Sequence, residues 1–513
     1  MSYDETRDSE QLRHLDVAIA EFILRYQSNS ATSGRQTAIL FPGGMACELL
    51  RARTPYDDNG GPGQTFHYDT VWLDAFTFLG NALTLAMHKQ GGSFRDLDDR
   101  IVIANGSVEF LGGTPYDGFT AWCDLQGIDW FVFGWDWRRR IEDIADFCVT
   151  QFLPRFQQAM LAANLPDPLM DFTIVGHSFG GMVVNLVNRR TDAILDGMQH
   201  VITAGAPFYG YGGQIHRWFE GESLLNDLGK LAVIRVIASF PGVYTLGFLD
   251  ADTFLANQAA LADDHDFPLL AYPSMDADNP ALQADPFNPP TAGPALRYPV
   301  DIGFDMHELA HAREIYQATA QPMPEDVQDR FFCIRGVRPA ADTAGAITWK
   351  LIDASYNPQI SGTRIANDAA VPGDDTQPAW TARLVTQPAA QIVTIRAELD
   401  HAFMMESPEV LAAIGAIMGV PETVLLAVEE RREIPPRKPQ SVSSDEALGI
   451  IRGLQERRTP ERPMLDKPTV DAYLEQFPLG KLRAVARRVI QDILKRPNTP
   501  REAAPPREPD VLP

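Results

Sequence analysis

Between Asp171 and Met182 the chain reads Asp-Phe-Thr-Ile-Val-Gly-His-Ser-Phe-Gly-Gly-Met, and this stretch limits the possible folds more than any other. Phe172 to Val175 are apolar except for Thr173, the pattern of a short buried strand. Met182 to Val187 read as the first turns of a helix. Gly176-His177-Ser178-Phe179-Gly180 joins them as a G-x-S-x-G turn. Small residues beside the serine let strand and helix approach closely. A sharp turn there lifts the Ser178 hydroxyl above a sheet edge and aims the Phe179 N–H at the place where an oxyanion would form. Gly and Ser are common, so the pentapeptide alone says little. The strand before it and the helix after it predict an exposed nucleophile.

Further elements predicted along the chain fit the same plan. Leu12 to Tyr26 have helical spacing within an N-terminal segment, 1–36. Thr37 to Phe41 read as a buried strand, broken by Pro42-Gly43-Gly44-Met45. A Gly-rich turn at a strand end leaves bare N–H groups in the open, and Gly44 is the second candidate oxyanion donor. Polar, Gly-rich residues 51–70 read as a mobile lid loop. Strands at 130–134 and 201–204 and a helix at 141–153 complete a first core segment, 37–207. Alternating strands and helices imply an α/β fold with a mostly parallel sheet covered on both faces. Residues 208–324 break the rhythm with Pro- and Asp-rich loops and are expected to be an inserted cap. Strand patterns return at 330–335 and 392–395, in a second core segment, 325–430.

Composition narrows the function. The chain has 513 residues, 45% hydrophobic, enough for two or three structural units. A net charge of -24 argues against a nucleic-acid partner. Cys47, Cys123, Cys148 and Cys333 show neither metal spacing nor a disulfide framework, which suits a reducing compartment. The first ten residues are polar and acidic, unlike a secretory leader. The longest near-apolar run, Leu411 to Val428, contains Pro421 and Glu422. The expectation is a cytoplasmic protein, with peripheral membrane contact as an added option and no cofactor. That option comes from the tail, 431–513, where 17 Lys/Arg stand against 12 Asp/Glu. Within it, 481–496 reads as a basic amphipathic helix, suited to an anionic lipid surface or to the protein's own acidic body.

A serine nucleophile needs a base, and the base needs an orienting carboxylate, in the order Ser, Asp/Glu, His for this type of sheet. Asp374 lies in the loop Pro372-Gly373-Asp374-Asp375. Of the ten histidines, His401 is the one that follows the last predicted strand. His177 is expected to point away from the serine.

Taken together, these stretches resemble the lecithin:cholesterol acyltransferase family, which includes lysosomal phospholipase A2 and phospholipid:diacylglycerol acyltransferases. Phe41-Pro42-Gly43-Gly44, Val71-Trp72-Leu73-Asp74, Trp135-Asp136-Trp137-Arg138, Gly176 to Gly180, Gly205-Ala206-Pro207, Phe240-Pro241-Gly242-Val243-Tyr244, Gly373-Asp374-Asp375-Thr376 and His401-Ala402-Phe403-Met404 are similar to family motifs and occur in the family's order. The resemblance spans about residues 37–417. It implies an α/β-hydrolase fold and acyl-ester transfer or hydrolysis on lipids. It also implies Ser178 as nucleophile, Asp374 as acid and His401 as base, with Gly44 and Phe179 N–H groups as oxyanion donors. Unlike secreted members, the chain has no cysteine between Cys47 and Cys123 and no lid tryptophan.

Two other readings compete. His307-Glu308-Leu309-Ala310-His311 is an H-E-x-x-H match that could chelate zinc, with Glu308 as base and Glu325 as a candidate third ligand. A catalytically silent binding protein on the same fold is the other.

Overall fold

The five residues of β1 (Thr37–Phe41) are buried along their whole length, because both faces of the sheet around them are covered. In the computed structural model the described residues are 2–28, 36–57, 66–72, 82–90, 93–108, 114–211, 236–247, 251–261, 264, 305–339, 343–350 and 364–420. The chain divides into two units, Met1–Leu465 and Asp466–Pro513, and all described residues belong to the first. Residues 58–65 of the expected lid lie outside the described residues, as do 212–235, 248–250, 262–263 and 265–304 of the expected cap. So does the tail with its helix expected at 481–496.

The described helices are α1 (Tyr3–Ser28), α2 (Asp117–Gln126), α3 (Ile141–Phe147), α4 (Leu153–Ala162), α5 (Phe179–Asn188), α6 (Ala251–Ala260), α7 (Met306–Thr319), α8 (Glu325–Asp329) and α9 (Pro408–Ile417). The main sheet adds β7 (Asp129–Val132), β8 (Phe172–His177), β9 (Met198–Ala204), β10 (Phe331–Gly336) and β13 (Ile392–Ile395) to β1. Its six strands run in the order β13-β10-β9-β8-β1-β7, and all pairings are parallel. This is an α/β-hydrolase-like core. The chain leaves β1 for β7 on one side, then crosses to β8 on the other. That reversal opens a crevice beyond the carboxyl ends of β1 and β8, the usual place for a ligand in such sheets. Both the Gly43-Gly44 turn and Ser178 lie there.

Alternation along the strands sorts residues between the two layers. Ala38 and Leu40 of β1, Val175, Ile202 and Ile334 pack with Phe119 and Trp122 of α2 and with Val410 and Ile414 of α9. On the other face Phe22 of α1 meets Phe131 of β7 and Phe156 of α4, with ring centroids 6.2 and 4.9 Å away. From α3 to α4 the helix is joined by a π-helical turn, Cys148–Phe152, just ahead of Pro154. Proline has no N–H for the helix, and the wider turn absorbs the mismatch.

One expectation is corrected here. Residues 51–70 are not all loop. β2 (Cys47–Ala52) pairs antiparallel with β3 (Tyr68–Trp72) and with β6 (Val102–Ser107) in a small separate sheet. Arg51 looks like a loop residue but is 4% exposed. Its guanidinium donates to the Leu97 carbonyl at 3.1 Å and to Asp98 at 3.2 Å, and those partners make its burial tolerable. β4 (Met87–Gln90) and β5 (Ser93–Asp96) form one hairpin, and β11 (Thr343–Lys350) pairs antiparallel with β12 (Arg364–Val371).

Candidate active site

Ser178 sits between β8 and α5 with φ 52° and ψ -125°, a conformation that non-glycine residues seldom adopt. The surroundings enforce it. A Cβ on Gly180 would lie 2.3 Å from the Phe41 carbonyl oxygen, and one on Gly176 would lie 2.7 Å from Gly181 Cα. Only glycine permits β1, β8 and α5 to crowd this closely, and the turn between them has no other route.

Residues far apart in sequence meet at this serine. Ser178 Oγ lies 2.8 Å from His401 Nε2. His401 Nδ1 lies 2.8 Å from Asp374 Oδ2. Asp374, 1% exposed, accepts the Gln377 and Thr376 amides on its other oxygen at 2.6 and 3.3 Å. Those two bonds fix the carboxylate plane and leave Oδ2 for the imidazole. Burial opposes a charged His401, but the charge and hydrogen bond of Asp374, with Asp375 and Asp400 nearby, outweigh it and raise the His401 pKa. Such a chain can take a proton from the serine and stabilise the imidazolium that results.

Asp375 faces elsewhere. Its amide donates to Thr343 Oγ1 at 3.0 Å, and its carboxylate meets Arg338 at 3.3 Å and accepts the Thr376 hydroxyl at 2.8 Å. Burial raises its pKa to about 6, against the Thr376 bond.

Gly44 packs against Phe179: a Cβ there would touch the phenyl ring at 3.1 Å. Three aromatic side chains hold the turn around Gly44. Trp135 Nε1–H donates to the Pro42 carbonyl at 3.0 Å, and Trp72 Nε1–H donates to the Met45 carbonyl at 2.6 Å. Tyr116 Oη accepts the Gly43 amide at 2.6 Å. Trp72 and Trp135 thus have a physical reason to stand in their sequence motifs. Tyr116 was not legible, because nothing in Thr114-Pro115-Tyr116-Asp117 announces a partner so distant in sequence.

Gly205 supplies space. Its φ is +59°, and a Cβ would lie 2.9 Å from Asp374 Oδ2 and 3.1 Å from His401 Cε1. We expect Gly205→Ala to lower turnover on the order of 10²-fold, since a small displacement of aligned groups costs about that much. Steady-state kinetics on the purified variant, with circular dichroism to verify folding, provides the check. Unchanged kcat would contradict the packing argument.

The H-E-x-x-H stretch does form a helix, α7, but its glutamate is committed elsewhere. Glu308 is 1% exposed and accepts Arg140 at 2.8 and 2.6 Å and Lys89 at 3.2 Å. His311 is paired with Glu142. Glu325 opens a different helix, α8. Among the described residues no group of three or more His, Cys, Asp or Glu is arranged to hold a metal. Nor is any described helix long and apolar enough to cross a membrane.

No protein-family model matches the sequence, and no curated protein matches it. Among solved structures, a chain of the Tle4–Tli4 complex is similar at 12% identity, with a TM-score of 0.44, over 78% of this chain and 99% of that one.

Proposed function

We propose that this protein is a serine-dependent acyl-ester hydrolase or acyltransferase of the lecithin:cholesterol acyltransferase type, acting on lipid esters. The observation that carries the reading is the unbroken chain Ser178 Oγ, His401, Asp374 at the carboxyl ends of the parallel strands. His401 takes the Ser178 proton as Oγ attacks the ester carbonyl. The N–H groups of Gly44 and Phe179 receive the developing oxyanion. The protonated His401 then gives its proton to the departing alcohol, leaving an acyl-serine. Water or a second alcohol, deprotonated by His401, releases the acyl group. In this reading the basic segment 481–496 brings the enzyme to anionic lipid.

An electrophilic alkyl phosphonate tests the proposal. An ordinary serine hydroxyl reacts slowly near neutral pH, and a neighbouring base makes it fast. One label per chain is expected on Ser178, absent in Ser178→Ala and in His401→Ala, and detected by intact mass and peptide mapping. A zinc chelator is expected to change neither labelling nor ester hydrolysis. Hydrolysis lost on chelation, with Ser178 unlabelled, would replace this reading with the metal one.

A further inference from the structure

His177 is the elbow residue that the proposed reaction leaves unused, yet both of its ring nitrogens are bonded and it is 3% exposed. The direction of each bond follows from its partner. A carbonyl can only accept, so His177 Nε2–H donates to the His401 carbonyl at 2.9 Å. An amide can only donate, so Tyr116 Oη accepts from Gly43 at 2.6 Å and turns its own hydrogen to His177 Nδ1 at 3.0 Å. With a neutral imidazole each group is used once and none is left over. Burial lowers the His177 pKa to about 3, helped by the nearby His401 and opposed by the bond to its carbonyl, so the ring stays neutral in ordinary buffers. The two ends of this path are informative. One is the residue beside the oxyanion donor Gly44. The other is the main chain of the base. A Cβ on Gly43 would lie 3.1 Å from Ser178 Cβ and 3.2 Å from His177 Nδ1, so the path runs directly behind the nucleophile.

We infer that Tyr116 and His177 are positioning residues, whose hydrogen-bonded path from the Gly43 amide to the His401 carbonyl sets the oxyanion donor and the base at a fixed separation across Ser178. The inference rests on the Ser178 acyl-enzyme reading. Neither side chain touches a reacting atom. Asp374 fixes the His401 ring from one side, and His177 fixes the backbone that carries it.

Three variants of the full-length chain separate positioning from mere packing. In His177→Gln the amide N–H falls near the place of Nε2 and keeps the bond to His401. In His177→Asn the carbonyl oxygen falls near the place of Nδ1, so the Tyr116 bond survives and the His401 bond is lost. Tyr116→Phe frees the Gly43 turn. The measurements are kcat and KM on a short soluble ester, the rate of phosphonate labelling at Ser178, and the melting temperature. We expect His177→Gln to stay within about 5-fold of wild-type kcat, His177→Asn to lose roughly 50-fold and Tyr116→Phe roughly 10-fold. KM should stay within about 2-fold throughout, because the path aligns reacting groups and does not hold the remote parts of the substrate. Labelling rates should follow kcat. Equal kcat losses in Gln and Asn that track lost melting temperature would overturn the inference, as would wild-type kcat in Asn. A wild-type chain that takes no label at Ser178 would overturn the acyl-enzyme reading and this inference with it. A labelled wild type with indifferent variants refutes the positioning role alone.

Discussion

Asp374→Asn is expected to lower turnover on the order of 10³-fold or more, while Asp375→Asn changes it by less than about 10-fold. The reason lies in which atoms the neighbours require. Asp374 Oδ1 accepts two backbone amides, so an asparagine would set its carbonyl oxygen there. Its NH₂ would then face His401 Nδ1, which would have to accept. The remaining proton would sit on Nε2 and point at Ser178 Oγ, the wrong tautomer for a base. A second signature accompanies the loss. A base must be neutral to work, so activity falls on acidification through the His401 pKa, which the carboxylates raise above its ordinary value. Without the Asp374 charge, burial dominates and that pKa drops. The acid limb of the rate profile should therefore move to lower pH in Asp374→Asn. A larger loss in Asp375→Asn, or an acid limb that moves upward, would show that the wrong carboxylate has been assigned.

The other large effect concerns stability. Arg138 is fully buried and donates to Asp136 at 2.7 and 2.9 Å, to Asp96 at 2.7 Å and to the Leu85 carbonyl at 2.8 Å. Burial alone would raise the Asp96 carboxyl, but Arg138 and Arg139, with the Tyr3 hydroxyl and the Val102 amide, hold it well below the usual carboxylate range, at about 2. Arg138→Met leaves two buried carboxylates with fewer partners. Breaking a buried pair from one side costs about 3 kcal/mol or more, since the stranded charge stays desolvated. We expect the melting midpoint at pH 7 to fall by about 5 °C. The sign of the pH dependence follows from linkage. A depressed carboxyl adds stability above its unfolded pKa and loses it as pH falls towards the folded one. In the variant Asp96 can take a proton more easily, so the deficit should shrink near pH 4. Thermal unfolding of both proteins at the two pH values measures this. An equal or larger deficit at pH 4 would mean that Arg138 acts through packing and not charge. The Arg138 carbonyl also accepts the Gly242 amide at 2.8 Å.

How much of this was legible in the sequence depends on how local each signal is. The β1 strand and the Ser178 turn are written in adjacent residues, an apolar run followed by glycines, and the structure places them where that pattern requires. Asp374 and His401 were found by their order after Ser178 and by short motifs, and they do lie within hydrogen-bond distance of one another and of the serine. Arg51 misled because a buried guanidinium looks the same in sequence as an exposed one; what differs is the Leu97 carbonyl and Asp98 that receive it. H-E-x-x-H is a local pattern too, but Glu308 is held by Arg140, 168 residues earlier. Tyr116 carries no local mark, and His177 lies in the marked Gly176–Gly180 turn with nothing there to name its partners. Their pairing is a property of the packed crevice.

The strand order also has a consequence in time. The proposed base, His401, lies 223 residues after the proposed nucleophile, on the loop that follows β13, the outermost strand on its side of the sheet. A nascent chain that has already folded β1, β7, β8 and β9 holds Ser178 without His401. Contacts of such long sequence separation close late, after the loops between them have lost their freedom. Under the proposed mechanism the unfinished protein has no base for Ser178. If that mechanism holds, esterase activity in a refolding experiment reports assembly of the sheet through β13 and not merely of its first half.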